Sequence, residues 1–184
     1  MSKVVPAVAP LSRRALLKAG GALALGSALP MPAIAATQKL KIGYITGATG
    51  NMAPFAEADP FLLRQVQDVL ANGLTIGDTT YDVEILTADD QSNPDRAATI
   101  AAQFINGDQV NLMLAMNALS HVPVSSQCEI AGVPCITTMD PWQGWMMPLG
   151  GTPEVGFEYV NHFFWGIEDI IELYVGMRDS LPTN

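Results

Sequence analysis

Positive charge is scarce in this chain. The 184 residues include nine Lys and Arg against 18 Asp and Glu, for a formal net charge of −9. Four of the nine cations precede residue 36, and no lysine follows Lys41. Binding to nucleic acid or to an anionic membrane surface needs clustered Lys and Arg. The composition therefore excludes nucleic acid as a partner and argues against electrostatic docking on a membrane.

Cysteine and histidine are also rare, with two of each: Cys128, Cys135, His121 and His162. No C-x-x-C motif is present, which excludes the common thiol-redox and zinc patterns. The two histidines are isolated in the sequence, so we expect no metal and no cofactor. Cys128 and Cys135 are seven positions apart across a predicted turn. They could form a disulfide in an oxidising compartment, and two buried free thiols are the alternative.

The apolar run near the N-terminus, Ala19 to Leu29, is short and weak. It falls well below the roughly 20 apolar residues of a membrane-spanning helix. Ala33-Ile34-Ala35 follows it as a small-x-small cleavage pattern, and the preceding segment 12–18 (SRRALLK) resembles the twin-arginine export motif. We predict a signal peptide at 1–35 and export to the periplasm in the folded state. A general secretory signal with two arginines is the alternative, with the same destination.

Strand and helix patterns alternate through the rest of the chain. The predicted strands are 39–45, 81–85, 112–116 and 133–138, and the predicted helices begin at Asp59 (as N-cap), Asn93 and Pro123. This alternation predicts the α/β class, a three-layer αβα parallel sheet, with a first domain at 36–150. Ligands bind beyond the carboxyl ends of such strands, here in the loops 46–55, 87–93, 117–122 and 139–146.

A glycine-rich turn, Thr46 to Ala53 (TGATGNMA), follows the first strand. It resembles the dinucleotide-binding turn of short-chain dehydrogenases, so an exported NAD(P)-dependent reductase is one alternative. However, Ala53 stands at the third glycine position, and the acid expected about 20 residues later is missing. The Tyr-x-x-x-Lys pair of that family is missing too. A glycine-rich turn at a binding loop explains the same residues without a cofactor.

The order of segments resembles the first lobe of type I periplasmic solute-binding proteins, the branched-chain amino-acid and amide family of ABC transporters. The resemblance covers residues 39–145, and its most specific part is 89–94 (DDQSNP), with 41–43 (KIG) and 131–134 (AGVP) in support. It implies two lobes around a cleft, no enzymatic activity, a small-molecule solute and an inner-membrane permease as partner. A sensory ligand-binding module is a further alternative.

The resemblance also implies where the first lobe contacts its ligand. The matching residues are Phe55, Asn117, Ala118, Ser120, Met139, Asp140 and Trp142. Amino-acid binders place small hydroxyl residues and free backbone amides in the last two loops to hold a carboxylate, and this chain departs from that pattern. Asp140 would repel a carboxylate and attract an ammonium or amide N–H. Trp142 and Trp145 offer flat apolar walls. We expect an amino acid, amide, amine or aromatic solute.

Each of these residues also has a structural interpretation. Asp140 could cap a turn, Ser120 could cap the third helix, and the two tryptophans could pack under the second lobe. Asp89 and Asp90 favour loop capping over a calcium site, because the spacing of oxygen ligands is missing.

Residues 151–184 are expected to be the crossover and first helix of an incomplete second lobe. Ile167, Ile170, Ile171, Tyr174 and Val175 form an apolar face that nothing in the pattern covers. We therefore expect a truncated or split gene product whose second lobe is missing. The alternative is a small domain that buries this helix on its own sheet.

Overall fold

The computed structural model describes residues 38–181, so the predicted signal peptide lies outside the described residues. Within that range no helix has both the length and the apolar character to cross a membrane. The strands are β1 (Gln38–Thr46), β2 (Leu74–Ile76), β3 (Thr79–Asp89), β4 (Leu112–Ala115), β5 (Cys135–Thr138) and β6 (Val160–Phe163). The helices are α1 (Ala53–Ala56), α2 (Asp59–Leu70), α3 (Pro94–Gln103), α4 (His121–Ala131), α5 (Trp142–Met146) and α6 (Ile167–Ser180), and one π-helical turn, Phe104–Asp108, extends α3.

The strands form one six-stranded sheet in the order β2-β3-β1-β4-β5-β6. All neighbouring pairs are parallel except β2 with β3, which form an antiparallel hairpin. The α/β parallel-sheet class predicted from the sequence is confirmed. Because β1, β3, β4 and β5 run in one direction, the loops that follow them meet at one edge of the sheet. We call this the carboxyl edge, and it is where the candidate site lies.

Two helix boundaries follow the sequence signals, and one does not. The Asn93 side chain accepts a hydrogen bond from the Arg96 backbone N–H at 3.0 Å and caps α3. Gly132, with φ of 69°, ends α4 in the left-handed conformation. The prediction that Asp59 caps α2 is wrong. Asp59 is the first residue inside α2, and its carboxylate instead accepts a hydrogen bond from the Thr46 hydroxyl at 2.6 Å.

Two strands were not predicted. β2 pairs with β3 through the two-residue loop Gly77-Asp78, a recognised hairpin signal. β6 pairs with β5 in parallel, so this strand beyond residue 150 belongs to the same sheet. The Glu129 carboxylate of α4 anchors β6 by accepting the backbone N–H groups of residues 158, 159 and 160 at 2.9, 2.9 and 3.2 Å. The predicted boundary between a first lobe at 36–150 and a second lobe at 151–184 stays a prediction.

The hydrophobic core lies on the face of the sheet covered by α3, α4 and α5. Ile45, Met113 and Ala115 of the sheet are fully buried there, against side chains of the three helices. The sheet packs so closely on this face that a Cβ atom at Gly43 would lie 2.7 Å from the Phe104 ring and 2.8 Å from Met113 Sδ. The strand β1 is therefore packed tightly against the core at Gly43, a few residues before the carboxyl edge.

The opposite face is sparsely covered. α2 lies there, bonded through Asp59 to Thr46, which alternates with the core residue Ile45. Further along this face Ile136 of β5 and Phe163 of β6 are 45% and 80% exposed. α6 has no buried residue, and its apolar side chains are exposed on several sides. The predicted uncovered apolar face of this helix is thus present in the structure.

Cys128 and Cys135 lie near the C-terminal end of α4 and at the start of β5. Both are free thiols and both are buried. The hydrogen bond with Cys128, followed by burial, raises the pKa of the Cys135 thiol far above its usual value. The two side chains are therefore adjacent, as a disulfide requires, and the disulfide itself stays a prediction.

Candidate functional site

The loops after β1 and β3 interlock at the carboxyl edge. The Asp89 carboxylate accepts hydrogen bonds from the backbone N–H groups of Thr49 and Gln91 at 3.1 and 2.8 Å and from the Thr49 hydroxyl at 2.6 Å. Ser92 Oγ accepts from the Met52 N–H at 2.9 Å and donates to the Thr49 carbonyl at 2.7 Å. Burial is the largest single influence on the pKa of Asp89 and raises it, but the hydrogen bonds together outweigh burial, so the pKa lies below its ordinary value.

This interlocking accounts for the glycine-rich turn. Gly50 has φ of 87°, and a Cβ atom there would lie 2.7 Å from the Gln91 carbonyl oxygen. The Thr49 N–H, which a dinucleotide turn would offer to a pyrophosphate, is bonded to Asp89. The helix that follows, α1, has only four residues. The glycines therefore serve loop packing, and the turn lacks the free amides and long helix that hold a dinucleotide.

Asp90 and Asn117 join the loops after β3 and β4. Asp90 is fully buried, and its carboxylate accepts from Asn117 Nδ2 and from the Ser92 N–H, both at 2.8 Å. Asn117 Oδ1 in turn accepts the N–H groups of Leu119 and Ser120 at 2.9 and 3.0 Å. The two amides that directly precede α4 are therefore already bonded within the protein.

Burial changes what Asn117 and Ser120 can do. They are 1% and 0% exposed, so in this structure their side chains bond within the loop and are not open to a solute. Their contact with ligand stays a prediction. Ser120 occupies the N-cap position of α4 but makes no side-chain cap, and its hydroxyl donates to the Asn117 carbonyl at 3.2 Å. Ala118, between them, is partly exposed at the edge.

Asp140 lies in the loop after β5 and is tied to two histidines. Its Oδ2 is 3.2 Å from His121 Nε2, and its backbone carbonyl accepts from His162 Nε2 at 2.7 Å. Its carboxylate lies directly against Gly144, where any Cβ atom would collide with it. The preceding residue, Met139, has φ of 77°, a left-handed conformation that is costly for a side chain of this kind. The Asp140 carboxylate stays 28% exposed.

The two histidine rings and Trp145 form a cluster beneath this loop. The ring centroids of His121 and His162 are 5.9 Å apart, and Trp145 stacks on His162 at 5.1 Å. His162 Nδ1 is 2.8 Å from the Thr137 hydroxyl, whereas His121 Nδ1 is buried without a hydrogen-bond partner. Burial lowers the pKa of both histidines below the ordinary value, although the negative charge of Asp140 opposes this.

The two tryptophans of this region have different environments. Trp145 is 4% exposed, its indole N–H donates to Ser125 Oγ at 2.8 Å, and its ring meets Phe157 edge-on. It is a core residue of the described fold, which differs from both the ligand contact and the packing under a second lobe considered from the sequence. Trp142 is partly exposed, and its indole N–H donates to the Glu168 carboxylate of α6 at 2.8 Å.

Phe55 lies on α1 after the β1 loop and is 59% exposed. Of the residues predicted to contact ligand, those that offer partly or fully exposed surface at the carboxyl edge are thus Phe55, Ala118, Met139, Asp140 and Trp142. A separate cavity of about 340 Å³ lies at the ends of β1 and β3 on the α2 face, and Asp59, Leu63 and Thr87 contribute to its lining.

Charge at the carboxyl edge is predominantly negative. Asp89, Asp90 and Asp140 lie there, while Lys39 and Lys41 lie at the opposite end of β1. Of the arginines described, Arg96 reaches this edge, where its Nε donates to the Asp89 carbonyl at 2.9 Å. Residues 38–181 contain no group of three His, Cys, Asp or Glu side chains arranged to hold a metal.

Sequence reasoning missed two features of the site: the Asp90–Asn117 bond and the His121–Asp140–His162 cluster. The partners in these contacts are 19 to 27 positions apart, and no local pattern marks them. The sole local signal was the position of His121 shortly after the predicted strand 112–116.

Comparison with solved structures shows a common fold at low sequence identity. The branched-chain amino acid substrate binding protein LivJ from Streptococcus pneumoniae, solved with isoleucine, is 17% identical with a TM-score of 0.60, over 76% of this chain and 38% of that one. A solute binding protein of an ABC transporter from Rhodopseudomonas palustris, solved with 3,4-dihydroxy benzoic acid, is 18% identical with a TM-score of 0.57, over 76% and 36%. The leucine binding protein LivK from Thermotoga maritima is 18% identical with a TM-score of 0.55, over 76% and 38%.

The chain spans less than two fifths of the length of these relatives. Comparison with curated proteins finds no match. The sequence model of the family described as periplasmic binding protein matches residues 39–176, three quarters of the chain. The parallel sheet, the four loops at its carboxyl edge and this match agree, and the chain belongs to the periplasmic binding protein family.

Proposed function

We propose that this chain is a solute-binding lobe of an extracytoplasmic ABC importer component, which binds a small amine, amide or aromatic solute without catalysis. The ligand class rests on which hydrogen-bonding groups are free in the loop just before α4 and in the loop after β5. The N–H groups of Leu119 and Ser120 are bonded to Asn117, and the Asp140 carboxylate remains partly exposed at the same edge. This edge offers an acceptor where a carboxylate ligand would need donors.

Local charge supports the same ligand class. A carboxylate would approach the negative charges of Asp89 and Asp140. Arg96 is the described arginine that reaches this edge, and its Nε donates to the Asp89 backbone carbonyl. An ammonium or amide N–H can bond to Asp140 directly. The partly exposed ring of Trp142 and the exposed ring of Phe55 supply apolar and π surfaces for the rest of such a solute.

The relatives widen the range of solutes rather than fix one. One was solved with isoleucine and another with 3,4-dihydroxy benzoic acid, an aromatic compound. An aromatic ring suits Trp142 and Phe55 of this chain, whereas the carboxylate of either compound does not suit Asp140. We therefore propose an aromatic or aliphatic amine or amide rather than a free amino acid or aromatic acid.

A second lobe and a membrane permease complete the proposal. Binding by lobe closure places ligand between two lobes, and the closed form is what a permease reads. The exposed apolar side chains of β5, β6 and α6 offer a surface that further polypeptide of the family fold would cover. One lobe alone supplies part of the contacts, so we expect weak binding by the chain itself.

Calorimetric titration with pairs of solutes that share a shape but differ in charge tests the ligand class. We expect 3,4-dihydroxybenzylamine to bind at least about tenfold more tightly than 3,4-dihydroxybenzoate, and isoleucinamide more tightly than isoleucine. Asp140→Asn should remove most of this preference. Asp108→Asn, at the opposite end of the sheet, is the matched control and should leave it unchanged. Tighter binding of the two carboxylates would contradict the proposal.

Export and the second lobe are tested by the size of the product in the native source. An immunoblot against residues 36–150 should show, outside the cytoplasm, a species much larger than residues 36–184 alone. We expect this because the chain covers only 38% of the length of LivJ, one of its structural relatives. A species of the mass of 36–184 would remove lobe closure from the mechanism, and a cytoplasmic species would remove the transport role.

A further inference from the structure

The contacts of His121 and His162 with Asp140 determine which nitrogen of each neutral ring carries the proton. The Asp140 carboxylate and carbonyl oxygens can only accept, so His121 Nε2 and His162 Nε2 both carry a proton. In the neutral rings Nδ1 is then an acceptor. His162 Nδ1 receives the Thr137 hydroxyl, whereas His121 Nδ1, in a side chain only 6% exposed, receives nothing. Each histidine can therefore take up one proton, and each would change the charge next to Asp140.

Few other ionisable groups face this pair. β6 contributes His162 itself, β5 contributes the buried Cys135, and β4 and α5 contribute none. The charged residues of α3, Asp95 and Arg96, are exposed in its first turn, where Arg96 bonds to the β3 loop. Glu129, on the last turn of α4, is committed to the backbone of β6. Asp140 is thus the negative charge that acts on both histidines, and His162 in addition opposes protonation of His121.

We propose that His121 and His162 are positioning residues that hold the loop 139–142 and make its recognition of solute depend on pH. The inference rests on the proposed function of this loop. With neutral rings, Asp140 presents its negative charge at the carboxyl edge. Protonation of His121 turns the contact with Asp140 into an ion pair, which offsets that charge. Affinity for a cationic solute then falls as the pH falls, and affinity for an anionic solute rises.

The lowered pKa values of the two histidines set the pH range in which recognition would change. Both histidines have a pKa below the ordinary value of 6.5, mainly because of burial. The folded chain therefore takes up protons on these two rings at lower pH than an ordinary histidine does. The unfolded chain takes up these protons more readily, so the same titration lowers the free energy of unfolding as the pH falls through this range.

The ligand-free test is an NMR titration of the full chain. The chain has two histidines in all, so each ring is assigned by comparing wild type with His121→Gln and His162→Gln. We expect both rings to titrate below 6.5 and the backbone amides of Met139 and Asp140 to follow the His121 ring. Glutamine at 121 can still donate to Asp140 but cannot take up a proton. Rings that titrate at or above 6.5, or loop amides that do not follow them, would overturn the proposal.

Titration of 3,4-dihydroxybenzylamine at several pH values tests the effect on recognition. We expect its affinity to fall severalfold between about pH 7.5 and about pH 5.5 in wild type, and to be nearly constant in His121→Gln. The same pH dependence in wild type and His121→Gln would refute the proposal. Absence of binding by every probe at about pH 7.5 would count against the proposed function alone, since the NMR titration decides the proposal without ligand.

Discussion

Replacement of Trp145 by alanine is expected to lower the free energy of unfolding by about 3–5 kcal/mol, the usual cost of removing a large buried aromatic side chain. The ring is 4% exposed, stacks on His162 and packs edge-on against Phe157. Its loss also leaves Ser125 Oγ without its donor. Total stabilities are typically about 5–15 kcal/mol, so this one change removes a large share. Urea denaturation followed by circular dichroism measures it.

Two control variants separate the causes of this effect. Trp145→Phe keeps an aromatic ring but loses the bond to Ser125, and should cost about 1–2 kcal/mol. Trp142→Ala, three positions away on the same short helix, removes a partly exposed ring. We expect it to cost less than about 1.5 kcal/mol but to weaken binding of aromatic probes. If Trp145→Ala and Trp142→Ala destabilise the chain equally, the core role assigned to Trp145 is wrong.

Replacement of Asp90 by asparagine is expected to cost about 2–4 kcal/mol, although the two side chains have nearly the same shape. Asp90 is fully buried and accepts from two donors, Asn117 Nδ2 and the Ser92 N–H. An asparagine offers one acceptor and must turn its own NH₂ group toward the other donor. A buried donor is then left unsatisfied, which is the costly case.

The neighbouring residue provides the matched control. Asp89→Asn makes the same chemical change one position earlier, on a residue that is partly exposed. We expect less than half the loss caused by Asp90→Asn, since water can replace the broken bonds. Asp90→Asn should also release Asn117 and shift the amide signals of Leu119 and Ser120, while Asp89→Asn should leave those signals in place. Equal losses in unfolding free energy would show that burial of Asp90 does not govern its contribution.

Sequence patterns predicted the features of the fold that depend on neighbours along the chain. The Asn93 cap, the Gly132 terminus and the strand–helix alternation each rest on a few adjacent residues, and each is present in the structure. The hairpin loop Gly77-Asp78 was an equally local signal and was overlooked. Asp59 shows the limit of such reasoning. Aspartate is a common helix-capping residue, but here its carboxylate accepts a hydrogen bond from the Thr46 hydroxyl, 13 positions away in the sequence.

The candidate site was harder to predict, because its residues are defined by contacts between loops. The sequence indicated which loops meet at the carboxyl edge, since parallel strands require it. It did not show that Asn117 would be buried by bonding to Asp90, or that Asp140 would lie between His121 and His162. Burial decides which predicted ligand residues can touch a solute, and burial depends on partners 19 or more positions away.

The contact between Asp140 and Gly144 makes position 144 depend on the residue at position 140. The carboxylate occupies the volume that a side chain at position 144 would need. A homologue with a larger residue at 144 would therefore have to lose the acid at 140 or move its carboxylate, whereas a homologue without the acid is free to vary at both positions. Related sequences that carry aspartate at 140 should consequently carry glycine at 144, even where the rest of the loop has diverged.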